Sequence, residues 1–184
     1  MRARSALEYA MVAPKPKSTS NEGSAQHTVI RLLLLCLFLI CEQVSGQIML
    51  RINRSEPLQI TAKDLAELPR HTAVLNDHGK QISYEGVLVH DVLARGGVDF
   101  GKGLRGKQLS TYVTVIGADG YEVVYALAEF DPTISNSGII VAEKREGRPL
   151  AANEGPLRIV APNDQRPARS VRLLKEIDVI QLKN

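Results

Sequence analysis

Both cysteines of the chain, Cys36 and Cys41, fall inside one apolar run, Leu32 to Cys41, so the stretch from Gln47 to Asn184 contains none. An exported stretch of that kind has no disulfide, no thiolate nucleophile and no thiolate metal ligand. It must be held together by an ordinary apolar core, and its length is enough to build one. The composition agrees. At 44% hydrophobic, 23% charged and a net charge of +3, the chain is neither a collagen, a coiled-coil rod nor a disordered tail. So small a charge excess, with only 4% aromatic residues, leaves neither a basic stripe nor a base-stacking platform for nucleic acid.

The apolar run follows Arg31 and is too short to span a membrane: at about 1.5 Å per residue it reaches about half of a roughly 30 Å hydrocarbon core. A positive flank, a short apolar core and the small residues Val44-Ser45-Gly46 make residues 29–46 a general secretory signal peptide, with Gln47 as the mature N-terminus. Ile40 before Cys41 does not suit a lipoprotein. Residues 1–28 read as a disordered extension or a mis-assigned start, with Val29 as an alternative first residue. The expected location is periplasmic or secreted, without membrane insertion once the signal is removed. Residues 47–184 form the single expected domain, and cleavage lowers the net charge to +1, too little for long-range steering.

Within that domain Ile48–Ile52 reads as a strand. Thr61-Ala62-Lys63-Asp64 fits a capping box opening a short helix that stops at Pro69. His71–Leu75 and Gln81–Tyr84 flank the turn formers Asn76-Asp77-His78-Gly79, which predicts a hairpin. Gly86 is expected to break the chain before a second helix on Val89, Val92 and Leu93, closed by Gly96-Gly97. Tyr112–Ile116 and Tyr121–Tyr125 predict a hairpin around Asp119-Gly120, with Tyr121 and Tyr125 on one face covering the core. Ile139–Ala142 and Leu157–Val160 read as strands; the pattern over Val171–Leu182 leaves its type open. Strands dominate without regular strand–helix alternation, so the expected class is α+β with mixed sheets and short helices.

Four segments in this order resemble the sulfite-oxidase-type, molybdopterin-binding oxidoreductase fold. Tyr84-Glu85-Gly86-Val87 with Asp91-Val92-Leu93 is similar to its aromatic-x-Gly-Val…Asp-Leu-Leu element. Gly117-Ala118-Asp119-Gly120-Tyr121 is similar to its Ala-Asp-Gly-Tyr hairpin. Gly147-Arg148-Pro149-Leu150…Gly155-Pro156-Leu157-Arg158-Ile159-Val160-Ala161-Pro162 resembles its long Pro-Leu…Pro-Leu-Arg signature, and Arg169–Ile177 its Val-Lys-Trp-Leu-Lys-x-Ile ending. The resemblance implies that fold, a molybdopterin cofactor and oxidoreductase chemistry. It also implies a cysteine ligand to molybdenum in the stretch before Tyr84. Here that stretch is Val74–Lys80, without cysteine, and the oxygen and nitrogen donors Asn76, Asp77 and His78 do not replace a thiolate. The family's exported enzymes cross folded on the twin-arginine route, whereas this leader carries a single Arg31 before its apolar run. The expected protein is therefore degenerate in molybdenum chemistry and binds a pterin or another small anionic ligand. The alternative is a periplasmic ligand-sensing or interaction module without catalysis, partnered by a membrane sensor or a redox protein.

The resemblance places Arg169, Ser170 and Arg172 where the family contacts the pterin phosphate, and guanidinium forks suit such an anion. The other reading of these arginines is a solvated basic face paired with Glu176 and Asp178. His78 beside Asp77 is a candidate ligand or proton carrier, or else a turn residue at the surface. His71, His78 and His90 lack zinc spacing, so no metal site is expected. Glu129, Asp131 and Asp164 are loop carboxylates whose mutual placement the sequence leaves open, and no catalytic residue is assigned.

Overall fold

The structure, a computed structural model, describes residues 46–182. The extension over 1–28 and the signal segment up to Ser45 lie outside the described residues. Among the described residues two five-stranded sheets carry the domain, the first mixed and the second antiparallel throughout. In the first, β1 (Ile48–Ile52), β2 (Leu58–Ile60), β5 (Thr111–Gly117), β6 (Glu122–Ala126) and β10 (Leu174–Gln181) lie in the order β2-β1-β10-β5-β6. β1 and β10 run parallel, with Leu50 opposite Ile177, and the other pairs are antiparallel. The second sheet orders β3 (His71–Asp77), β4 (Lys80–Leu88), β7 (Ile140–Arg145) and β8 (Arg148–Pro149), and β9 (Arg158–Val160) also pairs with β7. Among the described residues two short α-helices, α1 (Ala62–Ala66) and α2 (Val89–Arg95), complete the predicted α+β class.

The period-two alternation of strands decides what each face meets. Ile48 and Leu50 of β1, Val113 and Val115 of β5, and Ile177 and Val179 of β10 point inward. They meet Val89, Val92 and Leu93 of α2 together with Val87, Val141 and Ile159 of the second sheet in one core. The opposite face of the second sheet buries a smaller cluster of Ala73, Leu75, Ile82, Tyr84, Ile140, Ala142 and Val160. β7 and β9 are thus covered on both sides, which is why Ile139–Ala142 and Leu157–Ala161 are near-continuous apolar runs. Arg158 interrupts the second run on the small-core side.

Local signals set the connections. Thr61 caps α1: its Oγ1 accepts from the Asp64 N–H at 3.3 Å, and Asp64 accepts from the Thr61 N–H at 2.9 Å. Thr61→Ala is expected to cost about 1 kcal/mol of stability in urea unfolding. His78 (φ 51°) and Gly79 (φ 86°) form the two-residue turn between β3 and β4, where both central residues need positive φ. The β5–β6 loop spans Ala118-Asp119-Gly120, with Gly120 at φ 82° and Gly117 and Tyr121 still hydrogen-bonded.

Two sequence expectations are corrected. Gly86 does not break the chain; it lies inside β4 at a register shift against β7, where the Val141 carbonyl passes too close for any side chain. Tyr121 does not share a buried face with Tyr125. It precedes β6 and is half exposed, while Tyr125 is buried. Their hydroxyls instead donate to adjacent carbonyls, Tyr121 to Ala168 at 2.7 Å and Tyr125 to Arg169. The paired strand β2 was not read because its three residues follow Pro57 with only Ile60 buried.

Asp131 is fully buried and accepts from the Gly101 N–H (2.6 Å), the Thr133 N–H (2.8 Å) and the Thr133 hydroxyl (2.7 Å). Burial raises its pKa, but those hydrogen bonds outweigh it and hold the carboxyl below its ordinary value. A depressed folded-state pKa stabilises above the unfolded value, and the contribution is lost as pH falls through the folded value. Asp131→Asn is therefore expected to lower stability at neutral pH, with the gap to wild type closing only below about pH 4, as followed by denaturation at each pH.

Candidate functional site

At one end of the small core, four side chains from separate segments meet around one carboxylate. Tyr84 of β4, Arg145 at the end of β7, and Arg158 of β9 surround Glu154, which lies just before a cis Gly155–Pro156 bond. Arg145 Nη1 donates to Glu154 Oε1 at 2.8 Å, and Arg158 Nη1 forms an ion pair with the same oxygen at 3.2 Å. Arg158 Nη1 also donates to the Tyr84 hydroxyl at 3.1 Å, and its guanidinium carbon stands 4.9 Å from the Tyr84 ring centroid. Arg158 is 3% exposed and Glu154 6%. Two polar atoms of this cluster are buried without a hydrogen-bond partner: the acceptor Glu154 Oε2 and the donor Arg158 Nε. Orphans of this kind are uncommon in folded proteins and point to strain or to a group that belongs there.

Backbone bonds place Arg172 beside this cluster. The Leu173 N–H donates to the Glu154 carbonyl at 2.9 Å, and the Leu173 carbonyl accepts from Ala118 at 2.8 Å. Leu173 itself has φ 50°, left-handed backbone that a non-glycine residue adopts at a cost. Electrostatics agree with the placement. Burial pushes Arg158 below the usual guanidinium range; Tyr84 and Glu154 oppose that shift, and the charges of Arg172 and Arg145 add to it. Burial likewise pushes the Tyr84 hydroxyl up. Two guanidinium groups therefore share one carboxylate, with the charge of Arg172 felt at Arg158.

Arg169 has a different environment. Its Nε and Nη2 donate to the two carboxylate oxygens of Asp164 at 2.8 and 2.7 Å, and its Nη1 donates to Glu129 at 2.9 Å. The guanidinium lies 4.6 Å from the Tyr125 ring centroid. The bonds from Asp164, and then Glu129, raise its pKa against burial, while burial raises that of Tyr125. Both faces of its fork are occupied, and with Asn163 and Ser137 it lines a cavity of about 250 Å³. The basic-face reading is corrected in its partners: Arg169 pairs with Asp164 and Glu129, whereas Glu176 and Asp178 face Arg51.

Ser170 is buried, and its hydroxyl accepts from the Ala161 N–H at 3.0 Å. Arg172 is exposed; it lines a separate cavity of about 240 Å³ with Asp119, Tyr121 and Ser170 and forms no ion pair among the described residues. The His78 side chain is 93% exposed, 3.7 Å from Asp77, on the opposite strand end from the Tyr84 cluster. Asn76 Oδ1 is taken by the Gly79 N–H at 2.9 Å. No group of three His, Cys, Asp or Glu side chains suited to a metal ion is present among the described residues. Of the sequence candidates, Arg172 adjoins the buried cluster, Arg169 and Ser170 serve neighbouring structural contacts, and His78 stands apart. Sequence reasoning missed Glu154 and Arg145. The one available signal was Arg158, a lone charge within a five-residue apolar run.

Tyr84, Gly155, Arg158 and Arg172 come from three of the four motif segments, and the fold gathers them at one place. The chain resembles the crystal structure of the sulfane dehydrogenase SoxCD from Paracoccus pantotrophus with a TM-score of 0.56 at 17% identity. The match covers 73% of this chain and 38% of that one, so the chain spans well under half of that protein's length. No curated protein matches it in sequence. The family model described as "Oxidoreductase molybdopterin binding domain" matches residues 74–184, from β3 through β10. With most of the chain inside that match and the fold shared, this protein belongs to the oxidoreductase molybdopterin binding domain family.

Proposed function

We propose that this protein is an exported member of its family that has given up thiolate-held molybdenum chemistry and binds a small anionic ligand, a pterin or a simpler oxyanion, through arginine. The carrying observation is the pairing of Arg145 and Arg158 with the single carboxylate Glu154, with a buried guanidinium N–H of Arg158 left unpaired, while the exposed Arg172 lines a cavity of about 240 Å³ without an ion pair among the described residues. Guanidinium forks in a partly dry setting recognise oxyanions well.

The donor set does not fit a molybdenum centre held by a protein thiolate. The segment that would carry the cysteine is instead the continuous β3–β4 ladder, paired from His71–Gly86 to Asp77–Lys80 and closed by a two-residue turn. Its side chains offer only oxygen and nitrogen, Asn76 is engaged in the turn, and His78 faces solvent. No step through molybdenum is derived. A pterin or a free oxyanion needs no thiolate and remains compatible with the arginines. Export to the periplasm or the medium is supported by the short apolar run behind Arg31 and the small residues before Gln47. A membrane sensor or a redox protein is the corresponding partner class.

The test uses inorganic phosphate as the probe. Thermal unfolding of the purified protein is expected to shift upward with phosphate concentration, as for any ligand that binds only the native state. Arg172→Ala, at an exposed side chain, is expected to keep the parent stability within about 0.5 kcal/mol while losing that shift. An equal shift in Arg172→Ala, or none in either protein, contradicts the arginine site.

A further inference from the structure

Among the described residues β3 is the longest strand at the edge of a sheet, pairing with β4 on one side and with no strand on the other. The ladder fixes which of its backbone groups are free. Ser83, opposite Val74, directs both backbone groups toward the β7 side: its carbonyl accepts from the Glu146 N–H at 2.9 Å, and its N–H donates to the Glu146 carboxylate at 2.7 Å. Val74 and Ser83 are thus a non-hydrogen-bonded pair, and the Val74 N–H and C=O point away from β4. By alternation those of Thr72 and Asn76 do the same, and among the described residues no turn or loop bonds them. Thr72 and Asn76 are exposed, and Val74 is 49% exposed. An edge of this kind is a template for another strand unless proline, lysine, a bulge or a covering segment blunts it. The run His71-Thr72-Ala73-Val74-Leu75-Asn76-Asp77 has no proline or lysine and keeps one register throughout. The edge strand β6 differs: the Ala126 N–H is taken by the Glu129 carboxylate at 3.0 Å.

The complement to this edge is its own sequence. Antiparallel pairing of two copies about a two-fold axis at Val74 sets Val74 against itself and Thr72 against Asn76, so that free N–H groups meet free carbonyls. The same register sets His71 of each copy opposite Asp77 of the other, in a non-hydrogen-bonded pair, the kind whose side chains lie closest. Both side chains are partly exposed, and an imidazole N–H and a carboxylate are matched donor and acceptor. Within one copy Asp77 is approached only by His78, at 3.7 Å, among the described residues. Sliding one copy by a single residue turns the exposed side chains toward the small-core face, and moving the axis to Thr72 or Asn76 shortens the ladder and separates His71 from Asp77. We infer that β3 is a homodimer interface, at which two copies join edge to edge into one continuous sheet with the axis at Val74. A single strand pair is a small interface, so the dimer forms with rising concentration and is not obligate.

The experiment is sedimentation velocity of the purified protein at concentrations from about 1 to 300 µM, where a monomer–dimer equilibrium is expected for an interface of this size. Val74→Lys sets lysine against lysine across the axis at an exposed position, and its dissociation constant is expected to rise at least about tenfold. His71→Asp sets two carboxylates opposite each other and is expected to weaken the dimer about fivefold, while the exchange His71→Asp with Asp77→His returns it to within about twofold of wild type. Near-UV circular dichroism checks that each variant is folded. In wild type, hydrogen exchange at the Thr72, Val74 and Asn76 amides is expected to slow as concentration rises, with Ala73 and Leu75, already bonded to β4, little changed. A chain that stays monomeric throughout overturns the inference and leaves the edge to a strand of a different protein. A dimer that Val74→Lys leaves intact overturns it, as does a His71→Asp defect that the exchange fails to relieve. Unchanged hydrogen exchange at the three amides overturns it without any variant.

Discussion

Gly86→Ala is expected to destabilise the domain by about 3 kcal/mol or more, the largest effect of any one-methyl change considered. A Cβ at position 86 would fall inside the van der Waals radius of the Val141 carbonyl oxygen and 2.7 Å from the Ala142 Cα. Both are backbone atoms of β7, a strand held by β4 on one side and by β8 and β9 on the other. Neither can give way as a flexible side chain would. The substitution must open the β4–β7 ladder at its register shift or displace β7 from the core. Gly79→Ala is the control. It has open space around it and a φ of 86°, so its cost is the backbone conformation alone, about 1 kcal/mol. Guanidinium denaturation of both variants measures the difference, and a Gly86→Ala cost as small as that of Gly79→Ala contradicts the close approach.

Glu154→Ala is expected to cost about 3 kcal/mol, because it strands a buried guanidinium. Arg158 would keep the Tyr84 hydroxyl but lose the carboxylate it pairs with, with Arg172 and Arg145 nearby adding like charge. Removing the charge on both sides tests the cause. A Glu154→Met, Arg158→Met double variant leaves no buried charge there, and Arg145, partly exposed, can turn to water. The double variant is expected to be more stable than Glu154→Ala, since an apolar replacement of a buried pair is often neutral whereas breaking one is not. Urea denaturation of the two proteins decides: a double variant that is the weaker of the two shows that geometry, not stranded charge, dominates.

Much of the fold was legible because local signals and burial agreed. The Thr61 capping box, the His78-Gly79 turn, the Asp119-Gly120 hairpin and the Val89–Leu93 helix each depend on residues close in sequence, and each forms as the pattern predicts. The undecided Val171–Leu182 stretch becomes β10 through a parallel pairing with β1, more than a hundred residues away, which no local pattern encodes. Gly86 was misread for the same reason: its meaning comes from Val141, not from its neighbours. At the site, the sequence supplied arginines but not their partners. Only the fold shows that Arg169 is held by Glu129 and Asp164, and that Arg145 and Arg158 share Glu154. Carboxylates in loops have no periodicity that announces which cation they will face.

The most direct measurement is the molybdenum content of protein isolated from its native host, together with its turnover of sulfite. An arginine site without a thiolate predicts far less than one molybdenum per chain and no oxidation of sulfite above background. One molybdenum per chain with sulfite turnover would show that the β3–β4 ladder, or a ligand outside it, still holds the metal.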